Sequence, residues 1–495
     1  MGFPMSPAEA FFLLAETATR PMHVGVLAVL SPPEDADACH VRDAFAAALA
    51  RGQAAPLWRR RARRSLASLG QWYWHTDSEV DLDYHVQISA LPRPAGDAEL
   101  WEFASELHTA PLDRSRPLWQ MHLIEGLADG RYALYLKTHP ALADGVAAMR
   151  LLQHSLDSDP DRRGMPALWE IEHPAKGSEH HAAAPAGTRA LTAARGLAGA
   201  ARDLPGVAPA VADTIWRAVR GRGGPLTLAA PRTPLNVPIG SAKSIAGRTF
   251  PFDRVQLVAK HTDATVNDVV LAMCAGALRR YLLARRGLPA TPLMAVLPVS
   301  VRGAEPLTSP VAPDYFADNR ITALTCSLPT HLADPAERLA AVQTSTREGK
   351  AALAGRTELQ VMTMTALGAA PLALAMTLGR ELRPLRPPNV MISNVRGPHG
   401  PLYWNGGRLE ALYPMSIPVD GQTLTFTCTS IDDQIAFGLT ACRRAVPGIG
   451  TLADYLGREL DLLDTFHRIP DAVRRDRGRD PRPRRRRTAR RSGQV

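Results

Sequence analysis

Cysteine, lysine and aromatic residues are all scarce in this 495-residue chain. The five cysteines, Cys39, Cys274, Cys326, Cys428 and Cys442, are widely spaced, and none forms a CxxC pair. That excludes a disulfide scaffold and offers no metal-ligand spacing. It leaves small hydrophobic side chains in a reducing compartment as the expected role. Mean hydropathy is −0.12, which excludes a many-spanning membrane protein. The first 21 residues lack a basic region and carry Glu9 and Glu16. A secretory signal is therefore not expected, and the location is expected to be cytoplasmic. Ser6 fits the minimal pattern for acylation of Gly2, but Phe3 and Pro4 suit it poorly.

Basic charge is confined in a similar way. Of the net +10, residues 470–495 hold +8, from eleven arginines and three aspartates. The other residues carry only +2, so the folded part has no strongly basic balance. Such a tail cannot pack a core. Anionic lipid would attract it, at about 1 kcal/mol per arginine near the surface. No basic patch is interleaved with aromatics, so no specific nucleic-acid partner is expected.

What is present is ample for a core. Apolar residues make up 45% of a length that suits two or three domains. Strand patterns occur at 22–30, 117–127 and 131–139, the last two as a hairpin around Ala128-Asp129-Gly130. Helical spacing runs over 40–51, 145–157 and 265–285. A buried strand is expected at 293–302, and a hairpin flanks Ile431-Asp432-Asp433. Residues 174–210 turn rich in Ala, Gly, Pro and His, which reads as a connection with weak helices. Mixed strands and helices on both sides argue for two α/β domains. Leu359 to Gly379 is free of formal charge and long enough to span a bilayer. Gly368 and Pro371 favour instead a broken pair of buried or interface-lying helices.

The chemically informative stretch is His139-Pro140-Ala141-Leu142-Ala143-Asp144-Gly145, between a strand and a helix. A histidine at a strand end suits general-base work, because its pKa lies near neutrality. Asp144 reads either as the N-cap of the next helix or as the anchor of the loop. This segment resembles the HHxxxDG motif of acyl-CoA-dependent acyltransferases with the chloramphenicol-acetyltransferase-like fold. Six further segments narrow the resemblance to the bacterial wax ester synthase/diacylglycerol acyltransferase family. They are residues 5–30, DLDYHV at 81–86, PLWQMHLIEGL at 117–127, NDVVLA at 267–272, LPVSVRG at 297–303 and MISNVRGP at 391–398.

The resemblance implies two chloramphenicol-acetyltransferase-like domains of α/β (α+β) class, each a mixed sheet with helices. They would occupy residues 1–173 and 236–468, with a helical or flexible linker at 174–235 and a disordered tail at 469–495. It implies a tunnel between the halves, with acyl-CoA as co-substrate and diacylglycerol or a long-chain alcohol as acceptor. No bound cofactor and no metal are implied. Peripheral association with the inner membrane face or with lipid droplets is. The family's general base is the second histidine of the motif, which falls on Pro140. Proline cannot accept a proton, and general-base catalysis contributes about 10²- to 10⁴-fold. The same fold could therefore serve as a non-catalytic lipid or acyl-CoA binder, or take a different acceptor.

Two readings of His139 stay open. A one-residue shift of the loop would turn it into the tunnel; otherwise it packs and holds the loop. His154 lies over two turns further on and is a poorer candidate. Asp144 and Gly145 match the motif. The resemblance implies an arginine partner for Asp144, taken as Arg302, and a glycine that relieves crowding near substrates. Asn267 and Asp268 match the family's ND pair. Asn267 is expected at the site, and Asp268 either there or in first-turn support. Ser393 and Asn394 are expected in a tight turn. Arg396 stands where the family more often has proline. Trp72, Tyr73, Trp74 and Trp101 are expected mainly in the core, with some suited to a lipid interface. Arg59 to Arg64 reads as a solvated face or as a contact for phosphate.

Overall fold

The computed structural model describes residues 2–33, 36, 40–64, 70–171, 208–218, 220, 226, 230–300, 321–378, 386–398 and 400–468. Cys39, Arg302, the tail and most of the linker lie outside the described residues.

The Val24–Ser31 strand is apolar at nearly every position and buried along its length. Its two faces enter different cores. Val26, Ala28 and Leu30 join one cluster, and Leu27 and Val29 join another. A strand covered on both faces has no reason to alternate apolar with polar residues. It is central in a six-stranded sheet ordered Tyr403–Trp404, Gly407–Met415, Val24–Ser31, Tyr132–Thr138, Trp119–Leu127 and Val86–Ala95. The expected hairpin is present, with Asp129 at φ 58° and Gly130 at φ 71° in its turn. A smaller sheet joins Gly2–Pro4, Trp72–Thr76 and Arg60–Arg64. Trp74 is buried there, while Trp72 and Tyr73 are half-buried.

The second six-stranded sheet runs Ile321–Leu328, Leu293–Ser300, Val390–Val395, Leu424–Ile431, Gln434–Cys442 and Lys243–Pro251. The Val266–Ala284 helix lies in its core, with every residue from Asp268 to Leu278 buried. Cys274, Cys326, Cys428 and Cys442 are free, buried thiols. Burial pushes the Cys326 thiol up to about 11, so it is inert at neutral pH.

The two halves exchange elements. The Gly407–Met415 strand comes from the second half of the chain, yet it pairs with Val24–Ser31 in the first sheet. In return, the Asp97–Thr109 helix covers the edge strand Lys243–Pro251. Ser105 Oγ accepts the Ile245 N–H at 2.8 Å, and Thr109 Oγ1 accepts the Lys243 N–H at 3.0 Å. These bonds satisfy a strand edge that would otherwise be open. A boundary near residue 173 thus divides the chain but does not separate the two sheets.

Two glycines set the distance between the halves. Gly247 and Gly438 face each other across neighbouring strands. A Cβ on Gly247 would lie 2.5 Å from Trp101, and one on Gly438 would lie 2.1 Å from the carbonyl oxygen of Pro414. The pair forms a notch that receives the first sheet. Gly438→Ala is expected to destabilise the protein by about 2 kcal/mol, since a backbone carbonyl cannot rotate away as a side chain can. Thermal unfolding checks this; an unchanged Tm would show that the seam yields freely.

Residues Glu358–Leu378 form one continuous helix, not the expected broken pair. Pro371 removes a single backbone donor and leaves the other rungs in place. Among the described residues, no helix is long and apolar enough to cross a membrane.

Candidate active site

The HPALADG loop leaves the Tyr132–Thr138 strand and enters the Gly145–His154 helix. It is closed by its own backbone. Leu142 N–H and Ala143 N–H both donate to the His139 carbonyl, at 2.8 and 3.0 Å. Thr138 Oγ1 donates to the Ala143 carbonyl at 3.0 Å. Ala141, Leu142 and Ala143 are buried, and Pro140 is half-buried. Asp144 is the N-cap of the helix, accepting from Ala147 N–H at 2.8 Å. The N-cap reading therefore holds. The proposed partner, Arg302, lies outside the described residues. A Cβ on Gly145 would meet only Val24 Cγ1, at 4.0 Å, so protein atoms do not crowd that position.

His139 is fully buried, and its nitrogens are distinguishable. Nδ1 accepts the Ala141 N–H at 3.1 Å. The neutral ring must then carry its proton on Nε2. Nε2 points toward Glu16, 4.0 Å from its Oε2. Burial, assisted by Arg114, pushes the His139 pKa down to about 3. Neither nitrogen offers a lone pair to an incoming hydroxyl. Of the two readings left open by the sequence, this arrangement is that of a histidine holding the loop. His154 is exposed on the helix beyond.

Glu16, which sequence reasoning passed over, is the node behind His139. It is the C-cap of the Pro7–Ala15 helix. Its Oε1 accepts Met22 N–H at 3.0 Å, and its Oε2 accepts Arg114 Nε–H at 2.6 Å. His23 was missed as well. Its Nε2 lies 2.5 Å from the His108 carbonyl oxygen, so Nε2 donates and Nδ1 keeps a lone pair. That Nδ1 is buried and has no hydrogen-bond partner. His108 Nδ1 in turn lies 2.7 Å from the Tyr135 hydroxyl. Nearby, Lys137 Nζ donates to the carbonyls of Leu107 and Ala110, closing the end of the Asp97–Thr109 helix. Burial lowers Lys137 to about 8 and His23 to about 3. The only sequence signal for this group was the recurrence of His and Lys at positions surrounded by apolar residues.

Asn267 and Asp268 part company. Asp268 is buried and forms a reciprocal capping box with Thr265. Its Oδ2 accepts from Thr265 N–H and Oγ1–H at 2.9 and 2.7 Å, and its Oδ1 accepts from Thr346 Oγ1–H at 2.7 Å. Asp268 thus serves the helix start. Asn267, one residue earlier, is half-buried, and its Oδ1 lies 3.5 Å from Nδ2 of the exposed Asn394. Ser393 and Asn394 are not in the expected tight turn: both lie within the Val390–Val395 strand, where their backbone pairs with Thr427 and Cys428 in the sheet, and the following Val395 packs on the core of the first half. The two asparagines therefore stand together near the seam. Arg396 is exposed, and nothing in the structure explains its replacing a proline. Arg60 and Arg64 lie over the rings of Phe3 and Trp72, at 5.0 and 5.9 Å from their centroids. Among the described residues, no group of three or more His, Cys, Asp or Glu could hold a metal.

The buried neutral histidine makes stability pH-dependent. Its folded pKa lies below the unfolded value of 6.5. Between these values the unfolded chain binds a proton that the folded chain does not. Stability is therefore full above pH 6.5 and falls as pH drops toward 3, by about 1 kcal/mol at pH 5.5. His139→Gln is expected to lose less Tm than the parent between pH 7.5 and 5.5. Equal losses would mean that His139 titrates freely.

Two mixed sheets, a strand-to-helix HxxxxDG loop and a seam between the halves define a two-domain acyltransferase of the chloramphenicol-acetyltransferase-like class. Starter condensation domain of rhizomide synthetase shares this fold, with TM-score 0.53 and 15% identity over 94% of both chains. The wax ester synthase/diacylglycerol acyltransferase catalytic domain matches residues 5–270, and the family's C-terminal domain matches residues 317–464. The chain belongs to the wax ester synthase/diacylglycerol acyltransferase family. A putative diacylglycerol O-acyltransferase of Mycobacterium tuberculosis is 59% identical over 467 residues, covering 94% of this chain and 91% of that protein. A second from the same species is 40% identical over 460 residues, covering 93% and 99%. The wax ester synthase/diacylglycerol acyltransferase of Marinobacter aquaeolei VT8 superposes with TM-score 0.73 at 34% identity, covering 94% and 100%.

Proposed function

We propose that the protein binds acyl-CoA and a lipid alcohol, diacylglycerol or a long-chain alcohol, and transfers the acyl group slowly, without a histidine base in its loop. The observation that carries this reading is Pro140. It stands half-buried at the position of the family's second histidine, while both nitrogens of His139 are turned into the protein. His139 then acts as a positioning residue, together with Glu16 and Arg114. Asn267 and Asn394 supply amide donors and acceptors to orient the acceptor hydroxyl. In the reaction, the hydroxyl oxygen forms a bond to the thioester carbonyl carbon, the carbon–sulfur bond breaks, and CoA leaves as the thiol. The hydroxyl proton passes to solvent or to the departing sulfur, because the HPALADG loop offers no base for it.

The alternative is a binder that has lost its chemistry, and the same observation supports it. The test compares palmitoyl-CoA binding with turnover. Raised Tm on adding palmitoyl-CoA, with ester detected by mass spectrometry, supports the slow enzyme. Raised Tm without ester supports the binder. No binding at all sinks both. Family membership further suggests work at a membrane or lipid-droplet surface, where such acceptors reside.

A further inference from the structure

We infer that His23, which lies outside the HPALADG loop, is the base of the slow transfer, its Nδ1 receiving the proton of the acceptor hydroxyl. The inference rests on the reading that the protein transfers an acyl group. His23 immediately precedes the Val24–Ser31 strand, whose Val24 pairs with Thr138. The next position outward on each strand is a histidine, so His23 and His139 are neighbours across the two strands where the loop begins. His139 has no lone pair left for a hydroxyl, whereas His23 has one.

The Nδ1 of His23 lacks a hydrogen-bond partner, although the residue is only 2% exposed. An enclosed polar atom nearly always has a partner, so one without points to a group that arrives with the substrate. The ring is also held as a base must be. Its Nε2 donates to the His108 carbonyl at 2.5 Å, which fixes the proton there and leaves the lone pair on Nδ1. The His108 ring meets it edge-to-face at 4.7 Å, and His108 is itself held by the Tyr135 hydroxyl. Gly25 admits this packing: a Cβ there would lie 3.0 Å from the Tyr135 ring and 3.2 Å from His108 Nδ1. His122 also has unpartnered nitrogens, but it sits opposite Tyr135, further from the loop, and no carbonyl fixes its tautomer.

The surroundings set how strong this base is. His108 belongs to the last turn of the Asp97–Thr109 helix, and a helix C-terminus favours a cation. Against this, burial and the charges of Lys137 and Lys243 disfavour the imidazolium, and His139 is the remaining titratable neighbour. The balance gives a weak base, in keeping with slow transfer. Lys243 comes from the second half of the chain, so His23 stands where the halves meet. In the step, the acceptor oxygen bonds to the thioester carbonyl carbon as its proton moves to Nδ1. The carbon–sulfur bond then breaks, the sulfur takes the proton from Nδ1, and CoA leaves as the thiol with the ring neutral again.

The test measures steady-state ester formation by the full chain from palmitoyl-CoA and diacylglycerol. His23→Gln keeps a donor for the His108 carbonyl but cannot take a proton. It is expected to lower kcat about 10²-fold and to leave the KM for palmitoyl-CoA unchanged. In the Pro140→His background the same change is expected to matter little, because the new imidazole then takes the proton. A purely structural role would lower both alike. His122→Gln is the control and is expected to match the parent. Circular dichroism and the rise in Tm on adding palmitoyl-CoA confirm that each variant folds and binds, and His23→Asn stands in if His23→Gln does not fold. An unchanged kcat in His23→Gln would overturn the inference and leave the slow-enzyme reading standing. So would the same loss in His122→Gln, or an equal loss in a Pro140→His protein that has gained rate. A parent that makes no ester sinks the slow-enzyme reading, and the inference with it.

Discussion

Pro140→His is expected to raise ester formation by about 10²- to 10⁴-fold, the usual contribution of a positioned general base. The substitution asks little of the fold. Proline has no N–H, so no backbone bond is lost, and residue 140 is half-buried with room at its outer side. Its neighbours are already held by bonds to the His139 carbonyl and side chain. A new imidazole at 140 would act only on the proton of the acceptor. The gain should therefore appear in kcat, with the KM for acyl-CoA nearly unchanged. Palmitoyl-CoA as donor, with diacylglycerol and a long-chain alcohol offered separately, provides the assay. Ester is read by mass spectrometry, and CoA release checks for hydrolysis. Equal rates would refute the missing-base account. His23, whose Nδ1 is buried without a partner, would then be the next residue to remove.

The largest expected loss of stability comes from Glu459→Ala. Glu459 lies in the Ile449–Arg468 helix and is buried. Its Oε2 pairs with Arg338, and its Oε1 accepts Arg280 Nε–H at 2.7 Å. Arg338 is as buried as its partner, and its other bonds go to the carbonyls of Leu332 and Ala333, at 3.1 and 2.8 Å. Removing the carboxylate leaves a guanidinium charge in the interior, a change that costs about 3 to 5 kcal/mol. Arg280 is partly exposed and can turn to water. The double variant Glu459→Leu with Arg338→Met is expected to recover most of the loss, because it removes both charges. Thermal unfolding of the single and double variants decides. A double variant as unstable as the single would show that shape, not charge, dominates there. Gly276 belongs to the same arrangement: a Cβ on it would lie 2.0 Å from the Glu459 carboxylate.

Much of the fold was readable along the chain. The helix at His40–Arg51, the helix at Val266–Ala284 and the hairpin of Leu424–Ile431 with Gln434–Cys442 follow apolar spacing and turn residues, which are local properties. The HPALADG loop was legible as a strand-to-helix connection, and Pro140 as the place where its chemistry departs from the family. The continuous Glu358–Leu378 helix was not, because a lone proline in a helical run can break it or be absorbed.

The roles of the site residues divide along the same line. Capping by Asp144 is set within four residues, so it was legible in the sequence as one of two readings. The burial of His139 and the neighbour of its Nε2 needed the tertiary structure. Only the packing of the Pro7–Ala15 helix brings Glu16 within 4.0 Å of that nitrogen. The same holds for the Gly407–Met415 strand in the first sheet and for the Gly247 and Gly438 notch against Trp101 and Pro414. Apolar periodicity tells a segment which of its faces to bury. It carries no information on which distant segment will cover that face, and here the covering segments lie hundreds of residues away or in the opposite half.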